Sequence, residues 1–218
     1  MERLLFVIVG YVFGLFNTSL AIGKLAGFDI RKHGSGNTGT TNMVRVMGAK
    51  MGFAVLIGDA FKAIIPMLVM AHLFGESGAC APALVKAYTG FGAVLGHNYP
   101  FYTGFRGGKG IATSLGVAFA FHPAVGIFGM ICFAIPFFTL HYASLCSLVM
   151  ITVMFGALSV MTFLRAGVMQ ALTAQEAIEL YVIFGLMIFL AFFRHRTNIE
   201  KLLKGQERKT YLSKKDPA

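Results

Sequence analysis

Tryptophan is absent from this 218-residue chain, and cysteine and carboxylate are scarce, at three and nine residues. Each shortage excludes something. Cys80, Cys132 and Cys146 are odd in number, and the last two sit in apolar runs where a buried, inert thiol is expected, so no disulfide framework follows. The carboxylates form no pair at metal-ligand spacing among the polar segments, which disfavours magnesium-dependent alcohol phosphotransfer; no metal and no cofactor are expected. Without tryptophan, Tyr and Phe must serve the membrane interfaces. Charged residues make up only 13% and hydrophobic ones 56%, which is too apolar for a soluble domain of this size. The bilayer must be the solvent.

Apolar runs cover Leu4 to Leu25, Phe53 to Phe74, Pro82 to Leu95, Ile111 to Phe121, Ala124 to Leu140, Ala143 to Leu164 and Ile178 to Phe193. A full span needs about 20 residues, so Ile111 to Phe121 is short and is expected to start inside the protein. No small-residue cleavage site follows the first run, which is therefore expected to stay as a span rather than leave as a signal peptide. The resulting expectation is an all-α integral membrane protein of about seven transmembrane helices, one polytopic domain over residues 1–218 with a basic tail from about 194–218.

The polar residues gather in three segments. The first runs from Asp29 through Gly34-Ser35-Gly36-Asn37-Thr38-Gly39-Thr40-Thr41-Asn42 to Arg45, the second from Gly96-His97-Asn98 to Arg106-Gly107-Gly108-Lys109-Gly110, and the third from Arg194-His195-Arg196-Thr197-Asn198 to Glu207. These segments and their flanks hold fifteen of the nineteen Lys and Arg residues, whereas the loops at Glu76 and from Arg165 to Glu176 hold little positive charge. Cations are retained on the cytoplasmic side. Seven spans with the N-terminus outside then put all three segments and the tail in the cytoplasm. Topology explains most of the +10 net charge, and a nucleic-acid partner loses its main support.

Gly34 to Gly39 can turn backbone N–H groups toward an anion, because glycine tolerates the positive φ of such nests. A helix begun near Thr40 places Asn42 and Arg45 on one face, and the planar guanidinium suits two phosphate oxygens at once. Gly107-Gly108-Lys109-Gly110 precedes an apolar helix, where free N–H groups and the helix dipole favour phosphate; the same glycines also suit close helix packing. The hydroxyl residue of a Walker A loop is missing at Gly110, so no nucleotide triphosphatase is implied, and no Gly-x-Ser-x-Gly elbow occurs. His195 and Glu200 are spaced like the His-x4-Asp pair of acyl-CoA acyltransferases, a single weak match without the surrounding context.

Asp59 and Lys62, three apart in an apolar run, are expected to form an internal ion pair that braces the bundle, with a proton relay as the other reading. Glu207 is expected to tie down the tail through a basic neighbour, and His72, His122 and His141 fall at span ends. A transporter of phosphate esters would use similar loops, but such proteins show internal repeats and midplane sites. No convincing repeat is present.

Taken together, the three segments resemble the bacterial acyl-phosphate:glycerol-3-phosphate acyltransferases, which are integral membrane enzymes. The pattern GSGNxGxTNxxRxxG is met from Gly34 to Gly48, the glycine motif by Gly96-His97-Asn98 and Phe105 to Gly110, and HRxNIxxLLxGxE by His195 to Glu207. Two departures are Thr40, where alanine is frequent, and Phe16-Asn17-Thr18, where the family often has a proline. The resemblance implies acyl transfer from acyl phosphate to the 1-hydroxyl of glycerol 3-phosphate, giving lysophosphatidate and inorganic phosphate, at a bacterial inner membrane with its lipids as surroundings. It casts Ser35 as a hydrogen-bonding residue, Arg45 and Lys109 as phosphate clamps, Asn198 as a positioning or oxyanion donor, and His195 as general base or phosphate-orienting group. Gly34, Gly36, Asn37, Thr41, Asn42, His97, Gly107, Gly108 and Gly110 are the expected substrate-binding residues, with Asp59, Lys62 and Glu207 structural.

Overall fold

The structure, a computed structural model, describes residues 1–75 and 80–212, so the Glu76 loop and the end of the basic tail lie outside the described residues. Those residues form helices and no strand: α1 Glu2–Gly14, α2 Thr18–Leu25, α3 Thr40–Met47, α4 Ala49–Gly75, α5 Pro82–Asn98, α6 Ile111–Phe121, α7 Pro123–Leu140, α8 Ala143–Phe163, α9 Ala174–Arg194 and α10 Arg196–Leu203. This is an integral membrane protein. Among the described residues five stretches are long and apolar enough to cross a bilayer: Glu2–Leu25, Ala49–Gly75, Pro123–Leu140, Ala143–Phe163 and Ala174–Arg194. The other two apolar runs form shorter helices, α5 of 17 residues and α6 of 11. At 1.5 Å per residue α6 is only about 16 Å long. It is short because it is enclosed by protein, with nine of its residues buried.

The first apolar run is not one straight helix. Asn17 caps α2 by accepting the Leu20 N–H at 3.0 Å, which ends α1 before residue 17 and turns the chain. The break coincides with the place where the family often carries proline. A polar cap here does what a missing N–H would do there.

Close approach sets the tightest contact. On α1, Gly10 and Gly14 lie four residues apart, as do Gly92 and Gly96 on α5, and a Cβ at any of them would come within 2.2 Å of a carbonyl oxygen on the other helix. Small residues at this spacing let two helices meet backbone to backbone. At the far end Arg3 donates to Glu179 of α9 through Nε and Nη2, at 2.6 and 2.9 Å, and Tyr88 of α5 donates to the same carboxylate at 2.9 Å.

Phe6, Met67, Leu84, Ile151, Met154, Phe155, Leu158, Leu180 and Phe184 fill the shared core. Large apolar side chains such as Phe53, Ile65, Ile127, Ile135, Phe138 and Phe189 remain exposed on the outside, as a lipid-facing surface requires. Cys80 and Cys146 are buried and Cys132 half-buried. The helices alternate in direction, so the ends of α2, α5, α7 and α9 and the starts of α4, α6 and α8 gather at one end of the bundle. His72 stands in the last turn of α4, His122 between α6 and α7, and His141 at the end of α7.

Candidate functional site

Gly34 and Gly36 adopt φ of +61° and +71°, which bends the first polar segment back over α3. Asn42, buried in the first turns of α3, holds the bend. Its Oδ1 accepts the Ser35 N–H at 2.7 Å and the Ser35 hydroxyl at 3.1 Å, and its Nδ2 donates to the His33 carbonyl at 3.0 Å. The amide is thus committed to shaping the loop, while Ser35 stays exposed. Asn37 and Thr41 are half-buried on either side of Gly39, the N-cap of α3, which makes no side-chain cap bond. Behind them Asn17 Nδ2 donates to the Thr38 hydroxyl at 3.0 Å, both side chains being buried. Sequence reasoning gave neither residue a role at the site.

The second loop folds differently from its expectation. The N–H groups of Gly107 and Gly108 do not face outward; they donate to the Asn98 and His97 carbonyls, each at 3.1 Å. Their carbonyls in turn accept from Arg194, at 2.8 Å for Gly107 and 3.1 Å for Gly108. The loop is clamped between α5 and α9, and a Cβ at Gly108 would lie 2.0 Å from His97 Nε2. What the clamp leaves uncommitted is the start of α6, where Gly110 takes the N-cap at φ +76° without a side-chain cap.

The third segment closes over both. His195 ends α9 and begins α10 with no side-chain cap, and the Nδ1–H of the neutral ring donates to the Ala191 carbonyl at 2.8 Å. Asn198, one turn on, accepts from Lys109 Nζ through Oδ1. Its Nδ2 donates to Glu207 Oε1 at 2.7 Å, and the buried Ser144 hydroxyl at the start of α8 donates to the same oxygen at 2.7 Å. Glu207 therefore ties the tail through an amide and a hydroxyl rather than through the basic neighbour expected of it, with Lys109 bonded to the other end of the Asn198 amide. Glu200 pairs instead with Lys204 at 2.7 Å on an exposed face, away from His195. Arg45 Nη2 donates to the Thr210 hydroxyl at 2.6 Å, and Thr210 N–H donates to the His141 carbonyl at 2.9 Å. Thus the tail crosses the site and joins α3 to the end of α7.

Arg45, Lys109, Asn198 and His195 are brought together, with Lys109 just before the N-terminus of α6, which lacks a side-chain cap, and Asn198 in the first turn of α10. Burial, with the nearby charges of Arg45, Arg194 and Lys201 adding to it against Glu207, lowers Lys109 to about 8. Burial, together with the Lys109 charge, lowers His195 to about 3, so its ring is neutral. Among the described residues no group of three His, Cys, Asp or Glu side chains lies together as a metal cage. Asp59 and Lys62 form their ion pair at 3.0 Å within α4 and lie behind the site, with His97 2.6 Å from Lys62. Sequence reasoning also missed Ser144 and Thr210; nothing in their neighbours marks them.

Fold and site define a helical membrane protein with a cationic cluster framed by glycine-rich loops at one end of its bundle, suited to anionic, phosphate-bearing groups. Comparisons with known proteins agree. The family model for glycerol-3-phosphate acyltransferase matches residues 4–205. A glycerol-3-phosphate acyltransferase of Aquifex aeolicus (strain VF5) is 36% identical, covering 95% of this chain and 98% of its own. Crystal structures of PlsY (YgiH), an integral membrane glycerol 3-phosphate acyltransferase, superpose with TM-scores of 0.80 for its glycerol 3-phosphate form and 0.78 for its lysophosphatidic acid form, each at 35% identity. They cover 97% and 96% of this chain and 96% and 95% of their own. The chain belongs to the glycerol-3-phosphate acyltransferase family.

Proposed function

We propose that this enzyme transfers a fatty acyl group from acyl phosphate to the 1-hydroxyl of sn-glycerol 3-phosphate, releasing lysophosphatidate and inorganic phosphate. The observation that carries this reading is the convergence of Arg45 and Lys109 with His195 and Asn198, Lys109 standing just before the uncapped N-terminus of α6. Two phosphate-bearing substrates need that much positive potential in one place. The apolar outer surface gives the acyl chain its solvent.

Acyl phosphate is a mixed anhydride and needs no further activation, so alignment and charge stabilisation suffice. The glycerol oxygen attacks the acyl carbon, the acyl C–O bond to phosphate breaks, and the hydroxyl proton passes to a phosphate oxygen. A phosphate with a second pKa of about 6 is a better acceptor than His195, which burial holds at about 3. His195 Nε2, left as an acceptor while Nδ1–H is held by the Ala191 carbonyl, then orients the glycerol hydroxyl or a protonated phosphate oxygen, Asn198 holds Lys109 in line, and Ser35 bonds the phosphate or acyl group. Gly34, Gly36, Gly107, Gly108 and Gly110 shape the loops, Asn37 and Thr41 stand beside the substrates, and the buried Asn42 and His97 support the loops from behind.

Purified protein in detergent should form product from acyl phosphate and glycerol 3-phosphate, and little from acyl-CoA. Robust turnover on acyl-CoA with none on acyl phosphate sinks the donor assignment. Rapid quench without glycerol 3-phosphate should trap no acyl-Ser35; a stoichiometric adduct consumed at the turnover rate refutes direct transfer.

The cation distribution supports a cytoplasmic site in a bacterial inner membrane, with the N-terminus outside. Single cysteines placed at Lys32, Arg106 and Lys209 should label from one common side. Labelling of any of them from the periplasm of intact cells would break this orientation.

A further inference from the structure

Neither glycine-rich loop is continuous with the other, yet a buried polar cluster joins them. Asn17 at the α1/α2 break donates to Thr38 of the first loop. On either side of Asn17, the Phe16 carbonyl accepts from Lys62 at 2.8 Å and the Thr18 hydroxyl donates to Asp59 Oδ1 at 2.9 Å. Lys62 also donates to Asp59 Oδ1 at 3.0 Å and to His97 Nδ1 at 2.6 Å. His97 in turn accepts the Gly108 N–H through its carbonyl and sets its Nε2 edge against Gly108, the residue before Lys109.

We propose that Asp59 and Lys62 are positioning residues that lock the Gly34–Gly39 loop and the Gly107–Gly110 loop into register, through the α1/α2 break on one side and the His97 ring on the other. A brace alone would need only the two charges to meet each other. Here Lys62 spends its other two hydrogen bonds on the helix break and on His97, so it contacts the supports of both loops. With Lys62 donating to Nδ1, the ring is fixed in the tautomer that carries its proton on Nε2, toward the second loop. Each loop supplies one cationic clamp, Arg45 following the first and Lys109 within the second. The distance between the clamps therefore depends on this cluster.

The inference rests on the reading of both loops as one phosphate site, and the test separates the two. A buried ion pair replaced on both sides by apolar residues of similar volume usually leaves a fold intact. Asp59→Leu combined with Lys62→Met should accordingly keep a cooperative melt in detergent. If the pair sets register, amide hydrogen exchange should speed up about tenfold at both loops, at Gly36 and at Gly107–Gly108, while the α8 and α9 core stays protected. KM for glycerol 3-phosphate should rise about tenfold with a smaller change in kcat. Thr18→Val removes one strut only and should move both readouts the same way, by about two- to threefold. Loops that keep their protection with an unchanged KM, or a speeding confined to one loop, overturn the proposal in either variant. Wild-type protein without turnover on acyl phosphate would remove the donor assignment alone, because the exchange comparison decides the coupling of the loops without any substrate.

Discussion

Lys109→Met should lower kcat/KM for glycerol 3-phosphate by about 10²- to 10³-fold, the loss typical of one preorganised donor removed from a developing negative charge. Lys109 is the point where all three segments meet: it belongs to the second loop, donates to Asn198 of the third, and feels the charge of Arg45 from the first. The same convergence sets a pH dependence. Burial lowers the ammonium to about 8, so it is charged below that pH and loses its proton above it. kcat/KM should therefore fall as pH rises through about 8 in the free enzyme. Lys109→Arg keeps a cation that does not titrate in this range, so the alkaline limb should vanish even though the shorter reach of the ammonium is lost. A limb that persists unchanged in Lys109→Arg assigns it to another group.

Arg45→Lys should reduce kcat/KM by about 10- to 100-fold at unchanged expression. The charge survives, but the forked pair of N–H groups does not, and a hydrogen bond between charged groups contributes about 1.5–3 kcal/mol. The structure adds a control, because Arg45 also donates to Thr210 of the tail at 2.6 Å. Thr210→Val cuts that contact and leaves the guanidinium in place. Its expected effect is within about threefold, since the bond lost is made to the tail rather than to substrate and the freed N–H remains available to phosphate. Equal losses in the two variants would make Arg45 a tail anchor and return its phosphate role to the topology-setting charge that its position alone suggests.

Several features were legible residue by residue. The run of Gly34 to Arg45 announced a bend followed by a helix, and α3 begins at Thr40 with Gly39 as its cap. The shortness of Ile111 to Phe121 announced an enclosed helix. Asp59 and Lys62, too costly to bury apart, announced each other. The Gly10/Gly14 and Gly92/Gly96 pairs were equally visible as small residues four apart in apolar runs, and passed unread because each pair means little without knowing which helix faces it. The second loop was misread in one respect: the N–H groups of Gly107 and Gly108 return to α5, so these two glycines serve close packing.

The chain by itself determined its solvent, its helical class and the residue types of its site. Those follow from local facts: apolar runs long enough to need a bilayer, glycines where the backbone must turn, and cations confined to a few loops. Only the tertiary structure decided which polar groups bond to one another across the bundle. Arg45 meets Thr210 across 165 residues, Lys109 meets Asn198 across 89 and Lys62 meets His97 across 35. No periodicity spans such separations, because helix-facing patterns report one neighbouring turn and are silent about the partner helix. In a bundle sealed by lipid, each buried donor and acceptor must find its partner inside the protein. Which partner that is depends on how the helices cross, and here their crossing places Asn42 and Gly108 in the frame and leaves Lys109 at the centre.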